Sequence, residues 1–503
     1  MASNRTGVSQ RFQFDALVIT PDSEKPLFRQ LEEQLRDAIW CGRLKPNERL
    51  PSTRQLSSEL GVGRNTVINA YEQLTVEGFI VTEKGSGTLV SKDFPANTLT
   101  GSQTRKQSLI EQGTPIKIEL AERYHAAEAI QFAVPMEDGS DARPFRAHTP
   151  ACREFPTSLW TQLTHRRLKN TSWSWLDKSN ACGFEALREA ISGYLGASRG
   201  ITAKSENIFI SAGAQQGVAL LAQLLINPGD VVVFEEPGYT PAAIAFEMAG
   251  AKVVSIPVDQ EGLDVDVLAD TVKRAKLVYV TPASHFPLGI TMSQARRKAL
   301  LSWASAAGAL IIEDDYNGEY QYRGRPLATL FSMAEKGRVI YFGSFSKLLF
   351  PALRLGYMVV DDELIQPLAS VRWLVDRHSP PLEQAVLADF INEGHFARHL
   401  RRMRTLYIER QAVLTEQAHK HLSHVMSVPS LDAGLHLVGW LHPEVKEERV
   451  AAAFSHSGLE LMTTSKFYRY EVTQPGLILG YASFSPVEIQ QAILALKNAY
   501  DAL

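Results

Sequence analysis

Val339-Ile340-Tyr341-Phe342-Gly343-Ser344-Phe345-Ser346-Lys347-Leu348-Leu349-Phe350-Pro351-Ala352-Leu353-Arg354 is the stretch that decides how the chain reads. Its first four residues are an apolar run expected to form a buried strand. Gly343 is expected to break that strand into a small-residue loop presenting one lysine among Ser344, Ser346 and Arg354. A lysine in a partly desolvated, cation-lined pocket loses its proton more easily and can condense with an aldehyde, while two hydroxyls and a guanidinium suit a phosphate dianion. An aldehyde and a phosphate on one small molecule describe pyridoxal 5'-phosphate (PLP). Alone, Ser-x-Ser-Lys is more often a solvated surface loop.

A second strand end changes that balance. Upstream, the apolar run Ala309-Leu310-Ile311-Ile312 ends in Glu313-Asp314-Asp315-Tyr316. A PLP ring needs an acid at its pyridine nitrogen and often a phenol near its 3'-oxygen, which Asp314 and Tyr316 can supply. Both motifs fall just past apolar strands, where open parallel sheets bind ligands. An acidic loop capping the next helix explains one carboxylate but not its pairing with a lysine loop 33 residues later. At these residues the chain resembles the fold-type I aminotransferases and, in detail, the MocR-type regulators of the GntR family, whose lysine loop reads Ser-Phe-Ser-Lys followed by Pro-x-Leu-Arg. The resemblance implies that Lys347 is the Schiff-base lysine.

Composition sets the outer bounds. A chain of 503 residues is expected to hold two or more domains. A formal charge of −3 with 21% charged residues puts any nucleic-acid binding in a local patch. Cys41, Cys152 and Cys182 lack Cys-x-x-Cys spacing and cannot all pair, which suits a reducing compartment and implies no metal site. No apolar run approaches the length of a bilayer span, so a soluble cytoplasmic protein without a membrane partner is expected.

Residues 1–25 read as a flexible N-terminal arm. From Pro26, Leu27, Leu31, Leu35, Ala38 and Ile39 recur at helical steps until Gly42. Ser52 can cap a short helix that Gly61 ends, and Arg64-Asn65-Thr66 opens another at once, a helix-turn-helix. Phe79 to Thr82 then turns through Gly85-Ser86-Gly87 into Thr88-Leu89-Val90, a hairpin wing. Amphipathic helix pairs commonly bind only their own core, yet this second helix begins with a donor-rich tip suited to a major groove. Residues 43–64 hold five basic against two acidic side chains, net +3. Residues 26–91 resemble the GntR class of winged helix-turn-helix DNA-binding domain. By that resemblance Arg54 and Arg64 meet phosphate or guanine, Thr66 meets phosphate, and Gly85 to Gly87 meet backbone or minor groove; Asn65 belongs to the same tip, and Ser52 is counted with the DNA-binding set.

Residues 92–130, with Pro95, Gly101 and Pro115, read as a linker carrying a weak helical patch over 119–129. Residues 131–503 alternate apolar strands and helical stretches, as an α/β domain with a mainly parallel central sheet demands. Strand Asn207 to Ile210 runs into Gly213, Ala214 and Gln215, small residues at a helix start that can approach an anion; a plain tight turn is an equal reading of that segment alone. After Val231 to Phe234 comes Tyr239, which the resemblance places on the cofactor ring. Aminotransferases have Asn where Phe286 stands, and an arginine forked onto the substrate carboxylate where this chain has Leu477 and Ile478. Arg469 is near in sequence and could reach in by another route. His285 is assigned no role, and Arg398, Arg401, Arg402, Arg404 and Arg410 read as a solvated or interface helix face.

These residues describe a regulator that binds double-stranded DNA and PLP and senses a small amine, an amino compound or PLP itself, with no residue given a catalytic role. A working aminotransferase with an accessory DNA-binding domain is the alternative. Fold-type I sites lie at a subunit interface, so the resemblance also implies a homodimer.

Overall fold

The computed structural model describes residues 14, 17–21, 23, 25–83, 87–92, 119–128, 143–147, 149–170, 177, 179–324 and 327–502, without the side chains of 454–457. Gly85, Ser86 and most of the expected linker lie outside the described residues. The chain divides into two compact units, residues 1–119 and 120–503.

In the smaller unit, α1 (Leu27–Trp40), α2 (Thr53–Leu60) and α3 (Arg64–Val76) enclose a core of Leu31, Leu35, Leu56, Val67, Ala70 and Leu74. The Ser52 hydroxyl accepts from Gln55 N at 3.2 Å and starts α2. Gly61, at φ 66°, ends it in the left-handed conformation that favours glycine. A hairpin of β1 (Ile80–Glu83) and β2 (Gly87–Val90) follows. Where it is described, the expected arm is anchored: Phe14, Leu17 and Ile19 pack on this core, and the Gln34 amide brackets the backbone of Val18. These apolar side chains give that segment a surface to bury.

The larger unit packs the short helix Tyr124–Glu128 on the helix Thr240–Met248. Its main sheet runs β3 (Ile208–Ser211), β10 (Gly356–Val359), β9 (Val339–Ser344), β8 (Leu310–Asp315), β7 (Leu277–Val280), β4 (Val231–Glu236), β5 (Lys252–Asp259) and β6 (Gly262–Leu263). Strands β9, β8, β7, β4 and β5 pair parallel, while β10 is antiparallel to both its neighbours. Residues on β3, β9, β8, β7 and β4 are buried almost throughout, as a sheet covered on both faces requires. A smaller antiparallel sheet follows in the order β11 (Met426–Ser427), β12 (His436–Leu441), β14 (Gly476–Gly480), β13 (Met462–Thr463).

Two local expectations change. Gly343 does not break the strand: it lies inside β9, where a Cβ would come within 2.2 Å of the Tyr357 ring crossing from β10. The acidic run 313–315 is the buried end of β8, not a loop. Each carboxylate there has its own partners: Glu313 accepts from Leu330 N and Phe331 N, Asp314 from Tyr279, and Asp315 from Tyr341 and Gly318 N.

Candidate functional site

Five parallel strands deliver the site from their carboxyl ends. Past β3 come Gly213, Ala214 and Gln215; past β4, Tyr239; past β7, Thr281 and Phe286; at and past β8, Asp314 and Tyr316; at and past β9, Ser344, Ser346, Lys347 and Arg354. All ten cofactor-side residues read from the sequence line one cavity of about 190 Å³, together with Thr281, Phe286 and Pro351.

The local geometry suits an anion on one side. Gly213 precedes the helix Ala214–Leu225 at φ 87°, and no side chain caps that helix. The Arg354 guanidinium crosses above Gly213, 3.5–3.6 Å from where a Cβ would stand, and donates to Ala212 O at 2.9 Å. Uncapped amides, a guanidinium and the Ser346 hydroxyl, buried and without a hydrogen-bond partner, therefore line the same cavity.

Across the cavity, Asp314 Oδ2 accepts from the Tyr279 phenol, and Asp314 Oδ1 is buried and unpartnered. Burial pushes the Asp314 carboxyl up to about 6, against the pull of Tyr279 and the Lys347 charge. Burial, then the Arg354 and Arg146 charges, bring the Lys347 amine down to about 8 despite Asp314 and Cys152. An acceptor and a readily deprotonated amine thus face one small space. Tyr279 was missed because it sits in an apolar strand; its lone hydroxyl was the available signal. Behind it, Thr281 donates through N and Oγ1 to Glu235 at 3.0 and 2.7 Å, and burial raises Glu235 to about 8.

The remaining wall is apolar. Phe286, Phe467 and Ile478 form a buried cluster against Tyr239, Tyr316, Met462 and Ala147, with the two phenylalanine rings edge-on at 4.9 Å. Leu477 is also fully buried. Arg469 does not reach in: its guanidinium pairs with Glu247, and its backbone N–H donates to Glu236 at 2.5 Å. Nor are the arginines of the helix His395–Leu422 one solvated face. Arg404 donates to Glu319 O at 2.7 Å, and Arg410 is buried against Ala482 O; Arg398, Arg401 and Arg402 stay exposed. His285 is buried, its backbone N–H donating to Ile290 O at 2.7 Å.

In the smaller unit, Ser52, Arg54, Arg64 and Asn65 are exposed and Thr66 half-buried, around the start of α2 and α3; Gly87 opens β2. Arg64 Nε reaches Thr53 Oγ1 at 3.5 Å, tying the tip of α3 to α2. Arg49, overlooked in the sequence, holds its guanidinium 3.1 Å from where a Gly87 Cβ would stand, beside the wing.

Residues 175–492 match the family described as aminotransferase class I and II, and residues 27–90 the bacterial regulatory proteins of the gntR family. The probable rhizopine catabolism regulatory protein MocR of Rhizobium meliloti is 36% identical over 97% of this chain and 96% of its own. The HTH-type pyridoxine biosynthesis transcriptional regulator PdxR of Corynebacterium glutamicum is 27% identical over 96% and 98%. Among solved structures, an archaeal alanine:glyoxylate aminotransferase superposes with a TM-score of 0.70 at 26% identity, covering 76% of this chain and 98% of that one.

Proposed function

Since this chain belongs to the MocR-type regulators of the GntR family, a winged helix-turn-helix joined to an aminotransferase-like domain, we propose that its larger unit holds PLP and senses a small amine, changing the operator affinity of the smaller unit.

The residues fit that cofactor. Asp314 Oδ1 and Ser346 Oγ are buried polar atoms without partners, and the Tyr316 phenol, beside Ser284 and Asn317, lines the cavity with them. They suit a pyridine nitrogen, a phosphate and a phenolic oxygen. Unpaired, each of the first two costs about 1–3 kcal/mol. In this reading Asp314 holds the ring nitrogen's proton, Tyr316 meets the 3'-oxygen, and Tyr239 lies against the ring. The amides of Gly213, Ala214 and Gln215 take the phosphate with Ser344, Ser346 and Arg354. When bound, PLP supplies an aldehyde for amines and an electron sink. Lys347 contributes the amine that an incoming ligand replaces, and Phe286 and Phe467 keep water from that face.

The observation that carries sensing over turnover is Ile478, buried among Phe286 and Phe467 where an aminotransferase holds its arginine. Proton transfer needs the substrate held with its breaking bond oriented, and the side chains of Phe286, Phe467 and Ile478 offer a carboxylate no charge. Double-stranded operator DNA is read by α3, two copies of the chain act together, and the site of action is the cytoplasm.

Titrating the PLP-loaded protein with amines and amino acids, reading cofactor absorbance and operator affinity together, is expected to change both, with amino-group transfer well below about 1 per second. Transfer at or above that rate makes the chain an aminotransferase with an accessory DNA-binding domain. A cavity of about 190 Å³, small beside the about 300–1,000 Å³ of common ligand sites, favours a second reading in which PLP itself is the signal. In that case PLP alone shifts operator affinity fully and no amine adds to it.

A further inference from the structure

Arg372, near the end of the helix Asp362–Val375, is fully buried and one of the largest side chains in the interior. Burying a guanidinium is unfavourable, and an apolar side chain of similar volume would seat this helix as well. An apolar side chain could not hold the loop after β3. Arg372 Nη1 donates to Ile210 O at 3.3 Å and to Gln216 Oε1 at 2.9 Å, and Nη2 donates to Ser379 Oγ at 2.7 Å. Asp376, one turn on, supplies the countercharge. The Gln216 amide is thereby oriented: its Nε2 donates to Asp376 Oδ2 at 2.8 Å, and its Oε1 accepts a second hydrogen bond, from Ala212 N at 2.7 Å.

That second bond carries the effect into the cofactor site. Ala212 O accepts from the Arg354 guanidinium at 2.9 Å. Both polar atoms of Ala212 are therefore held, the N–H by Gln216 and the carbonyl by Arg354, immediately before Gly213 turns at φ 87° into its uncapped helix. With Ala212 fixed, the amides of Gly213, Ala214 and Gln215 and the guanidinium of Arg354 stand in a set relation before any anion arrives. Donors fixed in advance bind a phosphate more tightly than donors that must be ordered by it. Neither Gln216 nor Arg372 lines the cavity, so both act through the loop. We infer that Gln216, oriented by Arg372, is a positioning residue for the cofactor's phosphate, and that the pair sets how strongly the chain prefers PLP to unphosphorylated pyridoxal.

This inference rests on the PLP reading, and one pair of probes separates their failures. Pyridoxal has the ring and aldehyde of PLP with a hydroxyl in place of the phosphate, so Lys347 can take either and absorbance reads both. Titrated into the cofactor-free full chain, with pyridoxal carried to millimolar concentration, PLP is expected to bind at least about a hundredfold more tightly. Gln216→Leu keeps the bulk and loses the acceptor. It is expected to weaken PLP at least about tenfold while pyridoxal stays within about twofold, a split that general loosening of the fold would not give. Arg372→Met is expected to show the same split, and Gln216→Leu decides the matter alone should that variant not fold. Gln216→Glu combined with Asp376→Asn keeps an oxygen for Ala212 N and Arg372 and reverses only the hydrogen bond to position 376. The combination is expected to return PLP affinity to within about threefold of the wild type. A loss shared equally by PLP and pyridoxal, a PLP affinity unmoved by Gln216→Leu, or a double variant no better than Gln216→Leu overturns the positioning role and leaves these residues to stability. Wild-type protein that takes neither compound overturns the PLP reading itself, and the inference with it.

Discussion

Tyr279, in β7, donates its phenolic hydrogen to Asp314 on β8 and leaves the other oxygen of that cavity-lining carboxylate buried and without a partner. The hydrogen bond favours the ionised carboxylate that a protonated ring nitrogen needs. Tyr279→Phe removes the donor and keeps the ring. Without it the Asp314 carboxyl moves above about 6, so at pH 7 a smaller fraction is ionised and cofactor retention recovers only at higher pH. Dialysis against buffers of rising pH is expected to show PLP affinity at pH 7 lowered roughly tenfold, in line with a hydrogen bond to a charged group. Unchanged retention across that range would remove Asp314 from the ring-nitrogen role.

Lys347 gives a second pH signature. Its amine is brought down to about 8, so at pH 7 about one molecule in ten is neutral and able to attack an aldehyde. The rate of PLP capture by the cofactor-free protein is therefore expected to rise with pH and level off above about 8. Arg354 is among the charges that lower this value. Arg354→Met should move the midpoint upward and weaken phosphate binding, whereas a midpoint that stays put would show that burial and the Arg146 charge set the amine without Arg354.

How far these features were legible depended on whether the signal was local. Lys347, Asp314 and Arg354 stand in short motifs at strand ends, and position past a parallel strand was enough to bring them together. Glu235 in β4 and Thr281 just past β7 pair from positions 46 residues apart, so no local pattern marks them. Gly343 was misjudged because a glycine usually punctuates a strand, whereas here Tyr357 needs its missing side chain. Arg410 was misjudged because helical charge suggested solvent, while Ala482 O gives that guanidinium a buried acceptor.

The apolar wall can be tested by restoring what it lacks. Ile478→Arg places a guanidinium among Phe286, Phe467 and Met462, with no carboxylate arranged to meet it. An uncompensated buried charge is expected to cost roughly 3–5 kcal/mol, read as a lower melting temperature. Alanine added at millimolar concentration should recover part of the loss by supplying the carboxylate. A variant as stable as the wild type would mean that this wall opens to solvent.

DNA recognition separates Arg64 from Arg54. Arg64 begins α3 and is tied to Thr53, so it enters with the helix tip, while Arg54 sits in the first turn of α2. Arg64→Ala is expected to cost roughly 1–3 kcal/mol at one operator position if it reads a base. Arg54→Ala, as a phosphate contact, should weaken all sequences alike and reduce the salt slope by about 1. Gel-shift titrations at several salt concentrations check both, and unchanged binding by Arg64→Ala would remove α3 from the interface.

Lys347 is where sensing and turnover part most sharply. A sensor needs its amine only to hold the cofactor and to yield to an incoming ligand, whereas an enzyme also needs it to move a proton between substrate carbon and cofactor, with the substrate clamped. Ile478, where the family resemblance puts that clamp, is buried in an apolar cluster. Lys347→Ala is therefore expected to abolish the cofactor's characteristic absorbance and the effector response together. Among the described residues the core of α1, α2 and α3 is made by residues of the smaller unit, so the variant should still fold its winged helix and bind operator DNA with wild-type affinity. Absorbance, operator titration and effector response measured on one preparation check all three parts. A Lys347→Ala protein that responded normally to PLP and amines would place the signal somewhere other than this lysine.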